Sequence, residues 1–313
     1  MRRSADLTGS PLIRSRVGLA AKLAASTLLA AAAVLALGTS AAGGAPAEAT
    51  PVSEDAASMA KSPVAEDVVS PGTSLSGREI YQCVLDNRFD AYVQSSKLLS
   101  GDRGGATQES RLDMTWRSFR DPEAKRQVLS KTIVKYTAPF DLRFSGYLIV
   151  NNEGHPNDQF VYLAASRRIR RVNLRREAVF GTDFTFEDLV PREIEDGAYN
   201  RLPDKTIDGI STYVVEVTPA DHADSEYSKF VIHVLKEHCV PILTRYWDDR
   251  DVEVKEMVAP ASSVREIEGI SWPMELTMRN LQLDTFTTLS VEDLTPNPEL
   301  PRKTFDLRRL EAH

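Results

Sequence analysis

The sequence predicts an α+β fold, an antiparallel sheet with helices laid over one face, on three observations. Segments of period two recur between residues 108 and 295, turn residues separate them, and one stretch of helical period precedes them. Leu112, Met114 and Trp116 alternate with Arg111, Asp113, Thr115 and Arg117. Leu142, Phe144, Leu148 and Val150 form a second apolar set, Phe230, Ile232 and Val234 a third, and Trp272, Met274, Leu276 and Met278 a fourth. Such alternation marks strands with one wet and one apolar face, the pattern of antiparallel sheets. About ten or eleven strands are expected. No repeat of fixed period occurs, which excludes a propeller or solenoid.

The elements follow in chain order. Residues 1–47 carry Arg2, Arg3, Arg14, Arg16 and Lys22 against a single Asp6, then an apolar run over 23–37 and small residues through Ala47. A basic leader, a short apolar stretch and small residues suit a cleaved signal peptide. An uncleaved anchor is the alternative, although the run is short for a spanning helix. No Cys lies just after the run, so lipid modification there is not expected. Residues 48–76 are rich in Ala, Pro, Ser, Glu and Asp and hold no aromatic residue, a composition that cannot repay ordering entropy and reads as a disordered tether. The folded domain is expected over 77–313.

Over 77–99, Tyr81, Leu85, Phe89 and Tyr92 fall on one helical face, and Ser76 stands three residues before Glu79 as in a capping box. Strands follow, with turns at 121–123, 151–154, 208–209 and 248–251. One interruption, 180–200, contains a plausible short helix at 184–189 started by Gly181 and Thr182 or Asp183.

Formal net charge is −7, and removing the leader's excess of four positive charges leaves about −11. An acidic body argues against binding nucleic acid through its phosphates. Five His and two Cys leave little material for a zinc framework, and no nucleophile-elbow, zinc-helix or phosphate-loop motif is present. His233 and His238 are five apart, but on a strand His233 shares a face with Lys229 and Val231 and is expected to meet water. The carboxylate pairs Asp248-Asp249 and Glu187-Asp188 fit turn and capping roles better than general acid–base work. No enzyme and no cofactor are expected. Cys83 and Cys239 form either a disulfide, which an export route favours, or two buried thiols too far apart to join.

Several blocks carry a family resemblance. They are residues 160–172 (FVYLAASRRIRRV), 180–189 (FGTDFTFEDL), 229–234 (KFVIHV), 241–248 (PILTRYWD) and 272–280 (WPMELTMRN). In this order they resemble the LolA-like family of outer-membrane lipoprotein-sorting proteins, over about residues 108–313. The second block is the most specific. Ala164 and Phe180 depart from the pattern, standing where Pro and Met are expected.

The resemblance implies a LolA/LolB-like unclosed β-barrel, a curved antiparallel sheet whose concave face is covered by helices over a cavity for acyl chains. By itself, an apolar sheet face covered by helices implies no cavity. Given one, the alternation nominates Leu112, Met114, Trp116, Leu142, Phe144, Leu148, Phe230, Ile232, Trp272, Met274, Leu276 and Met278 as its lining, Met and aromatic side chains suiting flexible chains. Residues 180–200 and the 77–99 helix would form the cover. Arg167, Arg168, Arg170 and Arg171, with Arg175 and Arg176, are the candidates for contact with anionic headgroups or a protein partner. Pairing with Asp183, Glu187, Asp188 and Glu193 is the plainer explanation of that cluster.

The implied protein is a monomeric, non-enzymatic periplasmic carrier of lipid or lipoprotein acyl chains, with an inner-membrane exporter of the resistance-nodulation-division type as a partner. The rival expectation is an envelope sensor or scaffold with the same fold.

Overall fold

The computed structural model describes residues 75–120, 128–174 and 176–311. The leader expected at 1–47, and the tether expected at 48–76 except for its last two residues, lie outside the described residues. The folded chain starts from the expected capping box. Ser76 Oγ accepts from the Glu79 N–H at 3.2 Å, and Glu79 Oε2 takes the Ser76 N–H at 2.7 Å. These bonds favour the charged carboxylate and hold it below its usual range. Helix α1 (Gly77–Asp86) buries Ile80 and Tyr81 against Val215, Phe230, Ile232 and Met278.

The helix is shorter than the expected 77–99. Asn87 ends it: its backbone N–H returns to Cys83 O at 3.1 Å, and its side-chain amide exchanges two bonds with the backbone of Ser271, at 2.8 and 2.9 Å. The remainder is strand β1 (Ala91–Asp102), hydrogen-bonded on both sides, to β2 (Thr107–Ser118) and β15 (Thr285–Pro296). Two full-length ladders outweigh a weak helical pattern in a segment containing Tyr92, Val93, Ser95 and Ser96.

The other strands are β3 (Val128–Ala138), β4 (Gly146–Asn152), β5 (Asp158–Leu163), β6 (Arg168–Val172), β7 (Gly197–Ile207), β8 (Ile210–Pro219), β9 (Lys229–Leu235), β10 (Pro241–Trp247), β11 (Glu253–Val258), β12 (Val264–Ile267), β13 (Ile270–Pro273) and β14 (Glu275–Asn280). Among the described residues, thirteen of the fifteen strands form one sheet in the order β6-β5-β4-β3-β2-β1-β15-β14-β11-β10-β9-β8-β7, and β12 pairs with β13 apart from it. The sheet therefore has more strands than the expected ten or eleven, with β1 the principal addition. Every ladder is antiparallel, and β6 and β7 are unpaired edges, so the sheet does not close. Register shifts interrupt the ladders at Ser95/Ser96, Arg111/Leu112, Leu202/Lys205 and Tyr246/Trp247, and such bulges bend a sheet. Gly146 lets β3 and β4 approach, since a Cβ there would collide with the Val134 carbonyl.

The cover over the apolar face is α1 and the irregular segment 176–193. The short helix expected at 184–189 does not form. Phe180 (φ 48°) and Gly181 (φ 77°) reverse the chain, and the Val179 N–H bonds to Phe184 O at 2.8 Å. The next side chains are then pinned separately: Phe184 joins the cluster beneath α1, while Phe186 packs with Leu98, Leu112 and Tyr147. Asp188 meets Lys255 Nζ at 3.3 Å and accepts from Tyr227 OH at 2.9 Å, while Glu187 pairs with Arg192 at 2.7 Å. Four anchors in opposed directions leave no single helical face. On the opposite side of β4, Leu148 packs with Ile133, Tyr162, Phe305 and Leu310 of the C-terminal helix α2 (Arg308–Glu311).

Candidate functional site

Between the sheet and its cover lies an apolar cavity of about 370 Å³. Its floor follows the period-two logic of the central strands. Gln94 and Leu98 of β1 point the same way as Leu112 and Met114 of β2, and Leu276 of β14 sits opposite Leu289 of β15. Tyr136 of β3 and Tyr147 of β4 extend the floor to one side, and Met257 of β11 to the other. Val179, Thr182, Phe184, Asp188 and Leu189 of the irregular segment roof it. Val84 of α1 and Asn87, which caps it, also border the cavity, with Val240, Ser271 and Trp272.

Of the twelve residues nominated from alternation, Leu112, Met114, Trp272 and Leu276 line this cavity. The others sit elsewhere, each for a local reason. Phe230, Ile232 and Met278 face the same side but are sealed beneath α1. Trp116 stacks on Tyr92, ring centroids 5.7 Å apart, and Leu142 packs against the cluster under Phe186 from the turn between β3 and β4. Phe144 takes a left-handed backbone (φ 69°) in that turn and lies under the Arg143 guanidinium, 4.6 Å from the ring centroid. The turn breaks the parity assumed across 142–150, so Leu148 points to the far side of the sheet and Tyr147 takes the cavity side. Met274 falls between β13 and β14, half-buried, its N–H bonded to Ser263 O at 3.1 Å.

Tyr92, Gln94 and Leu98 were hidden by the helical reading of their segment. Leu289 and Val291 carried a readable signal, the alternation of the last strand.

Cys83 and Cys239 are joined, with Cα atoms 5.6 Å apart, which decides between the two readings of this pair. Cys239 sits in a left-handed turn (φ 53°) after β9 and also borders the cavity, so the bridge fastens α1 to the cavity wall. His233 does not meet water as expected: it is 5% exposed, its Nδ1 has no partner, and burial together with Lys205 and Arg245 lowers its pKa. Its neighbours on β8 and β10 shield both of its sides. The Glu187-Asp188 pair serves neither a turn nor a cap alone but anchors the cover, while Asp248 holds the turn after β10 by accepting from the Arg250 and Val252 N–H groups, both at 3.0 Å.

The arginine cluster lies on the free edge. Arg167 turns the chain into β6 (φ 49°), and Arg168, Arg170 and Arg171 are exposed along it. Three of the four acidic residues expected to neutralise it have partners elsewhere among the described residues. Asp183 accepts from the hydroxyls of Thr285 and Thr287, Asp188 pairs with Lys255 and Glu193 with Arg120, while Arg171 pairs with Asp158 of the neighbouring strand. Arg175 lies outside the described residues.

The model of a protein family described only as uncharacterized matches residues 129–312. No curated protein matches the chain. The fold is shared with solved structures. An outer membrane lipoprotein-sorting protein domain from Vibrio parahaemolyticus aligns with a TM-score of 0.67 at 21% identity, covering 75% of this chain and 98% of that one. A DUF1329 family protein from Desulfovibrio piger aligns at 0.69 and 19% identity, covering 76% and 100%. A LolA superfamily protein from Nitrosomonas europaea aligns at 0.60 and 18% identity, covering 75% and 100%.

Proposed function

The chain belongs to the LolA-like family of lipoprotein-sorting proteins, and from that premise we propose that it is a periplasmic, non-enzymatic carrier that shields acyl chains of a lipid or lipoprotein on their way to the outer membrane. The observation that carries this reading is the apolar cavity between the curved sheet and its cover. At about 0.8 kcal/mol per buried methylene, a chain that buries ten of them gains roughly 8 kcal/mol, enough for capture by a monomer. Release is the harder step. Helix α1 is tied covalently to the cavity wall, so the 179–190 segment is the part of the cover that opens. An inner-membrane exporter of the resistance-nodulation-division type is the proposed donor.

Native mass spectrometry of the protein from an envelope fraction, with lipid extraction, tests the reading. Near-stoichiometric lipid is expected on the wild type. Leu276→Glu places a charge in the cavity wall and should remove that lipid while the protein still folds. Phe144→Glu, off the cavity, should keep it. Lipid retained on Leu276→Glu places cargo elsewhere and ends this assignment.

One observation favours a second reading, an envelope sensor or scaffold: the exposed arginines of the unpaired edge β6. Charge reversal at Arg168, Arg170 and Arg171 separates the two. Loss of a protein partner with lipid binding intact supports the scaffold, and impaired lipid delivery supports the carrier.

A further inference from the structure

The cavity is mostly apolar, and three tyrosines, Tyr92, Tyr136 and Tyr147, are among the residues that border it. Tyr136 is 1% exposed and Tyr147 2% exposed, and both rings lie beneath the cover, Tyr136 against Phe180 at 4.8 Å and Tyr147 against Phe186 at 5.4 Å between centroids. The Tyr136 hydroxyl has no hydrogen-bond partner in the protein. That of Tyr92 reaches only a thioether sulfur, Met114 Sδ at 3.5 Å. An unpaired buried hydroxyl costs about 1–3 kcal/mol, whereas phenylalanine would fill the same space at no such cost. A donor kept at that expense on a cavity wall is placed for something that enters the cavity.

The chemistry of the acceptor follows from the rest of the wall. Burial pushes the phenols of Tyr92, Tyr136 and Tyr147 well above their usual range, and Tyr92 and Tyr136 further oppose ionisation of Tyr147, so all three remain neutral donors. No lysine, arginine or histidine is among the described residues that line the cavity. Its ionisable group, Asp188, is already occupied by Lys255 and Tyr227. A carboxylate entering here would find hydrogen bonds but no countercharge, whereas a neutral carbonyl needs only a donor. The position also fits a chain with a head and a tail. The tyrosines sit on the β3 and β4 side, and the floor runs from there across β2, β1 and β15 to Leu276 and Met257 without another unpaired donor among its described side chains.

We propose that Tyr136 and Tyr147 donate hydrogen bonds to the neutral carbonyl at the head of a buried acyl chain, so that the cavity selects ester-linked acyl chains over ether-linked chains and over free fatty acids. This rests on the carrier reading and names its cargo chemistry. The phenols would read the linkage, and the floor would take the tail.

Three probes of equal chain length test it on the whole protein by tryptophan-fluorescence titration: 1-hexadecanoylglycerol, 1-O-hexadecylglycerol and hexadecanoate at neutral pH. The ester should bind about 5–10-fold more tightly than the ether, the worth of one or two net hydrogen bonds, and the carboxylate more weakly than the ester. Tyr136→Phe deletes only an oxygen without a protein partner, so it should fold as the wild type does. It should bring the ester-to-ether ratio close to one while leaving ether affinity unchanged. Tyr147→Phe should act in the same direction. Equal binding of ester and ether by the wild type, or a preference that survives both variants, overturns the proposal and leaves the carrier standing. Failure of the wild type to bind any of the three removes the carrier reading and this proposal together.

Discussion

His233 shows how much one side chain depends on what its strand meets. Buried beside Lys205 and Arg245, it is held below the ordinary 6.5 of a histidine, so the folded state resists its protonation while the unfolded state accepts it. Below about pH 6.5 the unfolded chain then binds more protons, and stability falls as pH drops toward the folded-state value; above it the histidine contributes no slope. His233→Phe should flatten that fall relative to the wild type, measured as urea midpoints between pH 7.5 and 5.5. An identical pH slope in both proteins would mean the histidine is freely solvated. Other single residues were legible to the degree that their neighbours are local. Ser76 and Glu79 cap as the spacing says because the cap needs nothing distant. Leu112 and Met114 reach the cavity because β2 is wet on its other face. Leu148 and Tyr147 could not be told apart by hydropathy, since β4 is buried on both faces and parity carries no information there.

At the scale of elements, the segments that misread are those pinned by distant partners. Residues 91–102 hold a helical period and become a strand because β2 and β15 flank them, and β15 arrives almost two hundred residues later. Residues 184–189 look like a capped helix and become an irregular roof because Phe184, Phe186 and Asp188 are held by different parts of the sheet, and Glu187 by Arg192 and by Ser225 and Glu226 of the β8–β9 connection. Helix α1 itself is short, and the bridge from Cys83 to Cys239 spans 156 residues of chain. In the chain-entropy account a crosslink of that length stabilises by about 4–5 kcal/mol. The double variant Cys83→Ser with Cys239→Ser should lose stability of that order in equilibrium urea unfolding, yet still fold, because Ile80 and Tyr81 stay packed. A loss below about 1 kcal/mol would mean the crosslink constrains the unfolded chain far less than this account requires.

Among the described residues one open sheet of thirteen strands dominates the fold, and its protection should follow strand position. Strand β1, bonded along both sides, is expected to exchange its amides most slowly, and the edges β6 and β7 most rapidly. Native-state hydrogen exchange measures this directly, and uniform protection across the sheet would contradict it. Alternation made the antiparallel class legible, but the unbroken run of thirteen strands and the cavity it encloses depend on register and bulges that hydropathy does not encode. The strand order carries a further consequence. The first strand made and the last strand made are neighbours at the centre of the sheet, and Leu98 meets Leu289 there on the cavity floor. A chain emerging N-terminus first can zip β1 to β6 hairpin by hairpin, but its vessel has no middle until residues 285–296 arrive. In the proposed carrier, loading would have to wait for that strand, and a chain truncated before β15 would lack the join between the two halves of the sheet.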